Sequence, residues 1–164
     1  MKARKITFLG LSIALAMILS FVESQIPALV AIPGIKVGLP NIVMVFLLYR
    51  VGAKETVIVS IIRILLISML FGNLQTLTFS IAGAVVSLTG MILLKKLNCF
   101  SCIAVSITGG ILHNVGQIVA AIFWTGTTQI AFYLPVLLIS GTVAGTLIGL
   151  LGGMIIKRME RWRF

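Results

Sequence analysis

The chain contains no aspartate, and its only acids are Glu23, Glu55 and Glu160. This removes the aspartate clusters that hold magnesium against diphosphate, because hard cations want carboxylate oxygens. The chain also lacks a G-x-x-x-x-G-K-[ST] loop, so it does not hydrolyse ATP by a P-loop mechanism on its own. It has one histidine and two cysteines. Cys99 and Cys102 form a single C-x-x-C in "NCFSC", with no second pair and no nearby histidine. They read as two small apolar side chains rather than as a redox or metal centre. No catalytic acid–base set is evident, so the expectation is a protein that is not an enzyme and carries neither metal nor cofactor.

What is present is apolar surface. The 164 residues are 60% hydrophobic with a mean hydropathy of +1.22. A soluble domain cannot hide that much apolar surface, and long apolar runs read as an integral membrane protein. The net charge of +10 would suggest nucleic acid in a soluble chain. Here the basic residues sit at the ends of apolar runs, which is a signal of membrane topology and argues against nucleic-acid contact. The run behind the N-terminal "MKARK" has no small-residue cleavage site and reads as a first membrane helix.

A bilayer core of about 30 Å needs about 20 helical residues. Six spans are expected: Ile6–Val22, Ile35–Tyr49, Thr56–Phe71, Leu74–Leu94, Ser101–Trp124 and Ala131–Ile156, all within one all-α domain covering residues 1–164. Six spans put both termini on one side. Eleven of the 13 basic residues then share that side, Lys36 alone lies opposite, and Arg63 falls inside a span. The positive-inside rule makes the terminal side cytoplasmic.

Charged groups at bilayer depth are costly and usually face a cavity or a partner. Arg63 is eight residues beyond Glu55, roughly 12 Å along a helix. No acid within the spans neutralises it, which suggests an anion supplied from outside the chain. In "GGILHNVGQ" of the fifth span, Ser106, Gly110, His113, Gln117 and Trp124 share one helical face, with Asn114 beside it. His113 and Arg63 are expected at a similar depth. The other reading of both residues is plain hydrogen bonding between helices.

The stretch "AIPGIKVGLPNI", residues 31–42, separates the first two spans. Pro33 and Pro40 stiffen it, and Gly34 and Gly38 allow unusual dihedrals. Irregular backbone at membrane depth is tolerated where it lines a cavity or is buried in protein. The segment reads as a loop over a pocket mouth that offers Lys36 and Asn41 to a ligand, or else as a connection lying flat on the surface. Small residues mark close helix approach. Gly141, Gly145, Gly149 and Gly153 form a stripe in the last span, read as helix packing, with docking to another membrane protein as the other option. The first span has Ser12, Ala16 and Ser20 at the same spacing, with Gly10 and Ala14 alongside, and the same two readings apply.

"PGIKVGLPNIV", a short helix, an arginine-bearing third helix and "HN..GQ" in the fifth resemble the Gx transporter family, which also carries the older label heptaprenyl diphosphate synthase component I. That family is similar to the substrate-binding S components of energy-coupling factor transporters. The resemblance implies a six-helix bundle in the bacterial cell membrane that holds a small molecule near its outer face under the first loop. It also implies a transmembrane coupling protein and two cytoplasmic ATPases as partners. By that analogy Gly10, Ser12, Ala14 and Ala16 become the docking surface.

Two hypotheses follow. In the first, an amphiphilic or anionic ligand is captured from outside by Arg63, His113, Asn114, Gln117, Lys36 and Asn41, for uptake powered by partner ATPases. In the second, the chain is a non-transporting anchor or assembly subunit linked to isoprenoid or quinone metabolism or membrane electron transfer.

Overall fold

A computed structural model describes residues 2–25 and 37–159. These form six helices: α1 Lys2–Gln25, α2 Asn41–Arg50, α3 Ala53–Phe71, α4 Leu74–Leu97, α5 Cys102–Thr125 and α6 Leu134–Arg158, with a 3-10 segment Thr128–Tyr133 before the last. There is no strand among the described residues. Lys36, with the rest of the loop up to it from residue 26, lies outside the described residues.

Local chemistry explains most boundaries. The Asn73 side chain accepts from the Thr76 amide at 2.8 Å while the Thr76 hydroxyl accepts from the Asn73 amide at 2.9 Å, a reciprocal cap that starts α4. Ser101 caps α5 by accepting from the Ala104 amide at 3.1 Å. α4 and α5 both end on a left-handed residue, Asn98 and Gly126.

Among the described residues, four segments are long and apolar enough to cross a bilayer: Ala3–Gln25, Leu74–Leu97, Cys102–Thr125 and Thr128–Arg158. The expected count of six does not follow from length and composition. α2 has only 10 residues, about 15 Å of helix against a hydrocarbon core of about 30 Å. α3 has 19 residues but carries Lys54, Glu55 and Arg63.

α2 is the centre of the fold. Every residue from Val43 to Leu48 is buried. Val43, Met44 and Leu47 pack with Ala16 of α1 and Val59 of α3, while Val45 and Leu48 pack with Met91 of α4, Val105 of α5 and Ile148 of α6. A helix apolar on all sides must be surrounded by protein or lipid, and here it is surrounded by protein. The exterior is apolar too: Met69, Phe123 and Phe132 are 81%, 90% and 84% exposed. Apolar side chains on both the inside and the outside are the pattern of a membrane-type helical protein.

The basic ends gather at one end of the bundle. Lys5 of α1 pairs with Glu55 of α3 at 2.5 Å. Arg50 of α2 donates to the Met159 carbonyl at 2.9 Å, and Lys95 of α4 donates to the Leu48 carbonyl of α2.

Glycine sets the tightest helix contact. A Cβ on Gly145 would sit 2.6 Å from the Ile107 Cα, and one on Gly149 would sit 2.7 Å from the Ile103 Cα, so α5 and α6 touch backbone to backbone. Gly141 meets the Gly110 carbonyl in the same way. Gly153 instead faces open space, and Gly152 is the buried residue, against Val45. Steps of four residues drift about 40° each around a helix, so a fourth member is turned about 120° from the first.

Candidate functional site

A cavity of about 240 Å³ lies between the helices, and all six helices contribute to its wall. It reaches from the last turn of α1 and the α3–α4 turn, at the end away from the basic cluster, down to Met44, Met91 and Ile148. Polar and apolar side chains alternate along it: Ser87 and Ser106 lie at the level of Met91 and Ile148, and Ile67 and Phe71 line the end near the α3–α4 turn.

Arg63 is the only cation among the described residues that line it. One η nitrogen donates to the Ser20 hydroxyl at 3.2 Å, and Ser20 in turn donates to the Ala16 carbonyl at 2.8 Å. The Nε nitrogen of Arg63 is buried and makes no hydrogen bond. Lys5–Glu55 is the only ion pair among the described residues, so no carboxylate there lies within ion-pair distance of Arg63, and Glu23 acts on it electrostatically from further away. Glu23 lines the same cavity, but its carboxylate accepts the Gly38 amide and so ties the end of α1 to the approach to α2.

Of the residues singled out in the sequence, Arg63, His113, Asn114, Gln117 and Asn41 all line this one cavity. They differ in what they are committed to. Asn114 is buried and donates its amide to the Leu137 carbonyl at 2.6 Å and to the Ser140 hydroxyl at 3.4 Å, which fastens α5 to α6. The His113 ring lies flat against Gly83 of α4, where a Cβ would sit 2.8 Å from its Cε1. Only a glycine leaves room for that ring. Gln117 is half-buried and open to the cavity. Asn41 opens α2, but the first amides of that helix already donate to the carbonyls of Gly38, Leu39 and Pro40. The helix start therefore offers no free N–H array to an anion. Trp124 is exposed and does not line the cavity.

Sequence reasoning placed Ser106 on the polar face of the fifth span and Ser20 in the small-residue stripe of the first, but missed Ser68, Ser80 and Ser87 and did not join these hydroxyls into one wall. Ser20, Ser60, Ser68, Ser80, Ser87 and Ser106 all line the cavity. A signal for part of it was present: Thr76, Ser80, Ala84 and Ser87 recur at steps of four, four and three, which is one face of α4. Ser87 spends its proton on the Gly109 carbonyl at 2.8 Å and so fastens α4 to α5. The arrangement can hold a polar or anionic group at Arg63, orient it with hydroxyls and amides, and accommodate apolar atoms against Met44, Met91 and Ile148.

The small residues of α1 divide between two faces. Ser12 is 6% exposed and Ala16 fully buried against α2 and α3. Gly10 and Ala14 point outward, and nothing lies within 4 Å of a Cβ built on Gly10. Two residues apart on a helix means nearly opposite faces.

A family model described as heptaprenyl diphosphate synthase component I matches residues 12–155. No curated protein and no solved structure matches the chain.

Proposed function

Because the chain belongs to the heptaprenyl diphosphate synthase component I family, we propose that it acts as a non-catalytic membrane subunit that captures a small molecule. The family description names a synthase, but a chain without aspartate does not supply the carboxylate clusters of diphosphate chemistry. We assign that word to a partner or to a metabolic link, and assign binding to this chain.

The observation that carries the reading is Arg63: a cavity-lining guanidinium with a buried Nε that lacks a hydrogen bond and with no carboxylate within ion-pair distance among the described residues. A guanidinium is a planar fork suited to carboxylate and phosphate, and an incomplete hydrogen-bond set at bilayer depth invites a ligand to complete it. The ligand is anionic or amphiphilic. In this reading all six helices lie at membrane depth. α2 is shielded by its neighbours, and α3 turns its arginine inward. The clustered basic ends support a reading in which both termini face the cytoplasm of a bacterial cell and the cavity opens outward.

Uptake would then be powered by a transmembrane coupling protein and two cytoplasmic ATPases, docked at the outward face of α1 around Gly10 and Ala14. The test is affinity purification from native membranes in mild detergent, with and without Arg63→Ala. Co-purification of a coupling protein with two ATPases, and loss of a bound small molecule in the variant, support the reading. Recovery of isoprenoid or redox enzymes without any ATPase supports the second reading, a non-transporting assembly subunit, which the synthase wording of the family description favours.

A further inference from the structure

A second hollow, of about 370 Å³, lies between α3 and α4. Val57, Ile61 and Leu65 of α3 face Ile81, Val85 and Ile92 of α4 across it. Ile61 and Val85 are 52% and 60% exposed, so the groove is open on the outside of the bundle, where acyl chains lie in a bilayer. Four residues, Ser60, Ile64, Ala84 and Leu88, line both this groove and the central cavity. A single layer of side chains therefore separates the two, and Ala84 is the smallest member of that layer. Ser60 is one turn from Arg63 on the same helix.

We propose that the ligand is a single-chain amphiphile whose anionic head sits at Arg63 and whose hydrocarbon chain leaves the cavity sideways between α3 and α4. This rests on the binding reading above and names the chemical class of its ligand. Three observations carry it. The polar atoms and the charge lie on the cavity side, and the groove is almost wholly apolar. The two hollows share a wall directly beside Arg63. The cavity alone, at about 240 Å³, falls below the ~300–1,000 Å³ usual for small-molecule sites, and the neighbouring groove of about 370 Å³ becomes continuous with it when that one side-chain layer is displaced. A chain that exits laterally stays in hydrocarbon throughout, so its transfer from bilayer to groove involves no exposure to water. Selectivity then resides in the head group, because groove and lipid are equally apolar.

The test uses the protein in nanodiscs with dodecyl monophosphate carrying a mid-chain diazirine, photolysed and mapped by mass spectrometry. The expected result is labelling concentrated on Ile61, Val85 and Ile92. It falls about tenfold in Arg63→Gln, the loss of one charge-assisted contact. It also falls in Val85→Trp, which fills the groove from a lipid-facing position. Butyl monophosphate, a head with almost no chain, is expected to bind Val85→Trp as it binds the parent. Labelling spread evenly over the outward faces of α1 and α6, indifferent to Arg63→Gln, means surrounding lipid only and overturns the proposal. If butyl monophosphate needs Arg63 while the dodecyl probe avoids the groove, the lateral chain is wrong and the binding reading stands. If neither compound depends on Arg63, both fall.

Discussion

Arg63 and Glu23 line the same cavity and are not an ion pair: Arg63 donates to Ser20 at 3.2 Å, and Glu23 takes the Gly38 amide. The Arg63 Nε is left without a partner, and the Glu23 carboxylate holds the chain that leads into α2 while acting on Arg63 only at longer range. The two substitutions should act oppositely. Arg63→Ala is expected to weaken retention of an anionic ligand by about 10- to 100-fold, the range of one or two charge-assisted hydrogen bonds. Arg63→Lys restores charge without the fork and recovers only part of it. Equilibrium binding to the purified variants, each checked for an unchanged helix spectrum, measures this. Equal affinity in Arg63→Ala would remove the central residue of the reading.

Glu23→Gln keeps an acceptor for the Gly38 amide and deletes the one carboxylate among the described residues that line the cavity. Anion affinity is expected to rise several-fold, since a like charge no longer opposes the ligand across a low-dielectric space. Glu23→Ala removes the acceptor as well and should lose part of that gain. An unchanged affinity in Glu23→Gln would mean that the carboxylate does not sense the ligand.

Asn114 and Gln117 are neighbours on α5 with different duties. Asn114→Ala deletes a buried amide bonded to the Leu137 carbonyl, and about 1 kcal/mol of stability should go with it. Gln117→Ala should leave the unfolding midpoint in place and weaken binding instead. Thermal unfolding and ligand titration on both variants separate the two roles.

That division was not legible in the sequence. "GGILHNVGQ" announces a polar stripe on one face, and all of its members except Trp124 do line the cavity. Which member is spent on packing depends on the azimuth and depth of α6, set by contacts far along the chain. The helices themselves were legible because apolar runs and caps are local: the ends of α4 and α5 fall within a few residues of expectation. α2 was legible only as a short apolar run. Its burial on every side, and hence its place at the centre, comes from long-range packing. Ser68, Ser80 and Ser87 escaped because isolated serines in apolar helices commonly bond their own backbone, as Ser12 does to the Phe8 carbonyl at 2.8 Å.

The α5–α6 contact gives a stability test with an internal control. Gly145→Leu and Gly149→Leu drive side chains into the backbone of α5. The cost is about 1–3 kcal/mol or more, as for other overpacked sites. Gly153→Leu meets open space and should be close to neutral. Detergent-melting midpoints that fell equally in all three would place Gly153 in a contact that this packing does not contain.

The two faces of α1 separate folding from partnership. Ala16 is fully buried beside Val43, Met44, Leu47 and Val59, so Ala16→Leu overpacks the core and should lower stability whatever the protein's role. Gly10 and Ala14 face outward, and Ala14→Trp should leave the fold, the cavity and ligand affinity as they are. Under the transport reading, a bulky group on that face blocks the close approach of a coupling protein, and ATPase co-purification should drop sharply in Ala14→Trp. Retention of the ATPases in Ala14→Trp would move the docking surface away from α1. Their absence from the parent as well would leave the assembly-subunit reading in front. Because the substitution lies on the face opposite Ser12 and Ala16, loss of partner and loss of fold cannot be confused.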